Sequence, residues 1–228
     1  MVDVVYKDLG LIDFKQAWEF QEDIFTQIIA QKTGKSITEK NIPNQLLFCE
    51  HPHVYTLGKS GSDKNLLIDM IQLQAKDATF YRINRGGDIT YHGPGQIVCY
   101  PIFDLELFGM GIKKYVDSLE EMIIRTLSEF NISCTRLEGA TGVWLDTDKP
   151  TARKIAAIGV RTSRYVSMHG FALNVNTDLS YFGHINPCGF VDKSVTSLAK
   201  ETGVAVDITL VKELLKKHFI QVFSIRFL

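Results

Sequence analysis

The stretch Thr79-Phe-Tyr-Arg-Ile-Asn-Arg-Gly-Gly-Asp-Ile-Thr-Tyr-His-Gly-Pro-Gly-Gln-Ile-Val-Cys-Tyr-Pro-Ile-Phe103 sets the class of fold. Residues 79–83 and 96–103 are short β-rich runs, and the glycine-rich link between them carries no helical period. Similar runs lie at 46–49, 54–57, 132–136, 155–161 and 169–175. They fall in pairs instead of alternating strictly with helices, which argues for a mixed sheet and against a doubly wound parallel one.

Working outward, helical spacing appears on either side of these runs. Phe14, Trp18, Phe25, Ile28 and Ile29 share one face of a segment from 14 to about 32, and Gly34 is a plausible stop. Val116, Leu119, Ile123, Leu127 and Phe130 do the same from 112 to about 130. A third helix begins behind Asp207 as N-cap and carries Leu210, Leu214 and Leu215, and residues 66–76 give a weaker helical signal. The expectation is an α/β (α+β) fold, one domain over residues 1–228, with a large mixed β-sheet flanked by helices.

A chain of 228 residues can bury one substantial core or two small ones, and 45% apolar with 22% charged residues is ordinary for a globular protein. The net charge of −1 offers no bulk attraction to nucleic acid or to an anionic membrane, so neither is expected as a partner. No apolar run approaches the roughly 18 residues of a membrane span, and the first residues lack a secretory pattern. The four cysteines, at 49, 99, 134 and 188, form no CxxC pair, and so few thiols at this size suggest a reduced, cytoplasmic chain.

Within the opening stretch, Arg85 to Gln96 holds four glycines, 86, 87, 93 and 95. Glycines allow close backbone approach to a ligand, and exposed N–H groups there suit a carbonyl or oxyanion. Arg85 and His92 add a fixed cation and a titratable ring. The pattern is neither GxGxxG nor GxxxxGK[ST], so a nucleotide phosphate site of either kind is unsupported. His51 and His53 lack a third ligand nearby, so they read as a turn beside the site, with no metal expected.

Cys188 sits in Ile185-Asn-Pro-Cys-Gly-Phe190, where proline before and glycine after favour a thiol at the tip of a loop. Cys49, Cys99 and Cys134 lie among apolar neighbours and read as core residues. A thiol titrating near about 8.5 needs a partner to form its thiolate. Four residues are candidates: His92, His169, His184 and Lys154. Lys154 opens the run Ile155-Ala-Ala-Ile158, and burial of its stem would disfavour the ammonium. His169 either orients a substrate carbonyl or serves as a hydrogen-bonded structural residue.

Together these motifs resemble the lipoyl(octanoyl) transferase family, the octanoyl-acyl-carrier-protein:protein N-octanoyltransferases. The resemblance runs from about residue 18 to 200. It is carried by Trp18-x-x-Gln21-Glu22, Leu46 to Gly58, Arg85 to Tyr100, Lys154-Ile-Ala-Ala-Ile-Gly159, His169-Gly-Phe-Ala-Leu-Asn174, Asp178-Leu179, Ile185-Asn-Pro-Cys-Gly189 and Thr196-Ser-Leu198, in family order. Asp148-Lys-Pro-Thr-Ala152 departs as a small insertion, and Cys99 stands where a small residue is expected.

The resemblance implies a fold like the biotin and lipoate ligase catalytic domain. It implies that Cys188 forms an acyl-thioester and that Lys154 lowers its pKa. It further implies that Arg85, Gly86, Gly87, Asp88, Ile89, Thr90, Tyr91 and His92 line the acyl substrate, with Ala157, Ile158 and Gly159, and with His169, Gly170, Phe171 and Ala172. Ile89, Tyr91, Ile158 and Phe171 would wall the acyl tunnel. The implied donor is octanoyl-acyl-carrier protein. The implied acceptors are lipoyl domains of 2-oxoacid dehydrogenase subunits and the glycine cleavage H protein. No cofactor is implied. An ATP-dependent lipoate–protein ligase on the same fold is the alternative.

Overall fold

The computed structural model describes residues 1–35, 41–186 and 194–228. Its elements run β1 (Val2–Leu11), α1 (Phe14–Lys32), β2 (Asn44–Glu50), β3 (Val54–Leu57), α2 (Met70–Ala75), β4 (Thr79–Arg82), β5 (Ile89–His92) and β6 (Gln96–Ile102). They continue through α3 (Ile112–Ser128), β7 (Thr135–Leu137), β8 (Ala140–Leu145), β9 (Arg153–Ser163), β10 (Val166–Asn174), β11 (Ser194–Val195), α4 (Leu198–Thr202), α5 (Ile208–Phe223) and β12 (Ile225–Phe227).

A large mixed sheet has the order β12-β1-β2-β6-β10-β9-β8-β7, with β11 also paired to β9. Both faces of its centre are covered, so β2 and β6 are buried almost throughout and read as continuous apolar runs. Alternate residues serve opposite faces. Leu46, Phe48, Ile97, Cys99, Phe171 and Leu173 pack beneath α3 and α5, whereas Leu47, Cys49, Val98, Tyr100, Met168 and Ala172 face α1.

The expected mixed sheet with flanking helices is therefore the observed one. α1 occupies the expected span, started by the Asp13 carboxylate accepting from the N–H groups of Lys15 and Gln16. Asp207 caps α5 as read, but the buried stripe is Val211, Leu215, Phe219 and Phe223, with Leu210 turned outward. β1, β8 and β12 were not foreseen. β1 buries only Val4 and is held by parallel pairing to β2 and β12, so little in its own pattern announces a strand.

The end of the opening stretch is a tight strand–turn–strand, turning at residues 93–95. Residues 89–92 form β5, antiparallel to β3, in a small sheet of order β4-β3-β5. This small sheet packs through Tyr55, Leu57, Ile89 and Tyr91 against Ile185. It thereby places the glycine-rich segment beside the large sheet.

Candidate active site

β8 is paired with β9 only from Arg153 to Ala156, which leaves the rest of that edge of β9 open. The glycine-rich segment docks there: the Gly86 N–H donates to the Val160 carbonyl at 3.0 Å. Gly159 permits the approach, because a Cβ on it would stand 2.9 Å from the Gly86 oxygen and 3.0 Å from Arg85 Cδ. The Gly86 N–H is thus already bonded within the protein and is not a donor for a substrate oxyanion.

Next to this junction lies a cavity of about 610 Å³, within the range of small-molecule sites. Arg85 to Thr90, His92, Lys154, Ala157 to Gly159 and His169 to Ala172 all line it. Val98, Val116, Trp144 and Phe182 add apolar wall. Consecutive β9 residues, Ala157 to Val160, line the space, so it wraps round the open edge of that strand.

Tyr91 departs from the expected tunnel wall. Its ring is buried among Tyr55, Tyr181 and Phe182, its hydroxyl pairs with His53 Nδ1 at 2.7 Å, and it does not line the cavity. His184 ends the turn Leu179–His184 and is likewise absent from the lining.

Arg85 is buried and anchored, its Nη2 donating to the Thr56 carbonyl at 2.7 Å and the Thr56 hydroxyl at 3.0 Å. His92 and His169 are buried too. His92 Nδ1 meets Gln96 Oε1 at 2.8 Å, and His169 Nε2 meets Asn84 Oδ1 at 2.8 Å. Burial, reinforced by charged or titratable neighbours, holds both imidazoles down to about 3. Both rings are therefore neutral near pH 7. His169 adopts φ 60°, a left-handed backbone unusual for a side chain inside a strand, and its N–H donates to the Gln21 amide oxygen at 3.2 Å.

Lys154 is half-buried on β9. Its Nζ donates to the Thr141 carbonyl at 3.1 Å and lies 4.6 Å from the centre of the Trp144 ring. Both are contacts an ammonium makes. Trp144 and Thr141 escaped sequence reasoning, since only the β8–β9 pairing brings them to the lysine.

Cys188 lies outside the described residues. Ile185 before it and Ser194 and Val195 after it line the cavity, and Val195 is the parallel partner of Lys154. Cys49 and Cys99 are fully buried, and burial pushes both thiols up. Cys134 is half-buried and pushed up to about 11 by the same cause. The described cysteines are thus poor thiolates, as their apolar surroundings suggested.

The family model of the lipoyl protein ligase A/B catalytic domain matches residues 13–220. An octanoyltransferase of Flavobacterium psychrophilum is 58% identical over 221 residues, covering 96% of this chain and 95% of that protein. In structure, a bipartite lipoate protein ligase from Thermoplasma acidophilum superposes with a TM-score of 0.71 at 15% identity, covering 100% of this chain and 86% of that one. The biotin protein ligase of Aquifex aeolicus gives 0.54 at 13% identity, over 97% of this chain and 70% of that one. At those identities the likeness concerns the fold alone, whereas the sequence match reaches further. The chain belongs to the lipoyl protein ligase A/B catalytic-domain family, among its octanoyltransferases.

Proposed function

We propose that this chain takes an octanoyl group from octanoyl-acyl-carrier protein onto Cys188 and passes it to a lysine of a lipoyl domain. The acceptors in this reading are lipoyl domains of 2-oxoacid dehydrogenase subunits and the glycine cleavage H protein. The observation that supports it most is the cavity, apolar along its walls, with Lys154 and both flanks of the Cys188 segment on its lining.

The Cys188 thiolate attacks the thioester on the carrier's phosphopantetheine arm, and the carrier thiol leaves with a proton. One thioester replaces another, so little free energy changes. The lysine amine then attacks the acyl-Cys188 carbonyl; the C–N bond forms, the C–S bond breaks, and an amine proton ends on the sulfur. The amide is the more stable product, and no nucleotide is required. Lys154 serves as a cation beside the thiolate, which favours that ionised form more directly than proton abstraction would. At about 0.8 kcal/mol per buried CH₂, the eight-carbon chain supplies ample binding energy along the apolar wall.

The test is incubation with octanoyl-carrier and a lipoyl domain without ATP, read by intact mass. The expected result is an octanoylated lysine and a transient octanoyl adduct abolished by Cys188→Ser. Modification that appears only with ATP and free octanoic acid would instead identify a ligase.

A further inference from the structure

A chain of hydrogen bonds runs from His92 to the backbone of Lys154, and its polarity can be read link by link. The Asn174 Nδ2 donates to the Thr196 carbonyl at 2.9 Å, and the Thr196 N–H donates to the Lys154 carbonyl at 2.9 Å. A carbonyl only accepts, so the Asn174 amide is oriented with Oδ1 toward Gln96. Gln96 Nε2 donates to that oxygen at 2.8 Å and to the Tyr91 carbonyl at 3.2 Å. Gln96 Oε1 therefore faces His92, and the ring nitrogen it meets at 2.8 Å must be Nδ1–H.

That leaves Nε2 of His92 as a bare acceptor, with no hydrogen-bond partner among the described residues. The ring is 7% exposed and lines the cavity, stacked on Phe14. Other histidines do not match it. His51 is occupied at both nitrogens, by the Ile12 carbonyl and the Tyr100 hydroxyl. His169 pairs across from Val160, six residues along β9 from Lys154, or about 20 Å.

An unprotonated acceptor in a buried wall requires an N–H or O–H donor. The acyl-thioester brings only acceptors to its reacting carbon. The attacking amine brings N–H groups, and donating one to a neutral acceptor leaves its lone pair free for the carbonyl. We propose that His92, held as its Nδ1–H tautomer by Gln96 and Asn174, accepts a hydrogen bond through Nε2 from the amine of the acceptor lysine. Gln96 and Asn174 are then positioning residues. His92 orients the amine without taking its proton, which passes to the Cys188 sulfur as the C–N bond forms and the C–S bond breaks. Its burial-lowered basicity is consistent with holding the proton weakly.

The proposal rests on the two-step transfer above, and the experiment separates the two. Nitrogen-15 spectra of histidine-labelled full chain should show His92 as the Nδ1–H tautomer, uncharged from pH 6 to 8. The opposite tautomer or an imidazolium would overturn the assignment. Loading of Cys188 and discharge to a lipoyl domain are then timed separately. In His92→Leu the ratio of discharge to loading rate should fall about tenfold, and His92→Gln, which returns an amide oxygen near Nε2, should recover much of it. Asn174→Ala should lower the same ratio while redistributing the His92 tautomers. An unchanged ratio in His92→Leu, or a fall not relieved by His92→Gln, defeats the proposal. Failure of the unaltered protein to load at all defeats instead the reading on which it rests.

Discussion

The Lys154 Nζ lies 4.6 Å from the centre of the Trp144 ring while donating to the Thr141 carbonyl at 3.1 Å. One face of the ammonium is thus held by β8, on the wall of the cavity.

Trp144→Leu should slow alkylation of Cys188 at neutral pH several-fold, since a cation–π contact contributes roughly 0.5–2 kcal/mol. Trp144→Phe, which retains a ring face, should lose less. Equal rates in all three proteins would show that the ring does not position the ammonium.

Replacing Lys154 with Met removes the cation altogether. A positive charge beside a thiolate lowers the thiol pKa, so its loss should move the pH profile of Cys188 alkylation upward. Superimposable profiles would mean that Lys154 does not tune the thiol.

The junction of the glycine-rich segment with β9 is a matter of ångströms. Gly159→Ala should push the Arg85–Gly86 backbone away, raise KM for the acyl donor and lower stability by roughly 1–3 kcal/mol. Gly170→Ala should be worse, because its Cβ would stand 2.1 Å from the Cys99 carbonyl, at the centre of the sheet. Urea unfolding of the two variants checks the order.

Stability should also fall on acidification. Burial lowers His51 to about 4 and His92 and His169 to about 3. These groups stay neutral when folded, but in the unfolded chain they bind protons below about 6.5. The unfolded state gains protons as pH drops, so stability declines from about pH 6.5 downward, each histidine adding up to about 1.4 kcal/mol per pH unit. Urea midpoints between pH 7 and 5 should fall, and His169→Gln should flatten the slope. A midpoint independent of pH would contradict burial of these rings in their neutral form.

Much of the scaffold was legible in short-range pattern. α1 shows its apolar stripe and α5 its Asp207 cap, and β2 and β6 show the continuous apolar runs of strands covered on both faces. The glycine cluster was legible as a site because a chain rarely concentrates such residues without a close backbone approach. Tyr91 was misread as tunnel wall, since its neighbours in sequence line the cavity while its own ring turns into the aromatic cluster under the small sheet.

By itself, then, the sequence determined which residues form strands and helices at the centre of the fold, which cysteines are core, and which family the chain resembles. Those properties depend on periodicity, apolarity and motif order, all of which are local. Tertiary structure alone decided that Trp144 holds Lys154, that Gly86 bonds Val160, and that Gln96 and Asn174 set the proton on His92. Each of these depends on strand pairing between distant segments, and on which way an amide points once it is buried. No spacing along the chain encodes either one.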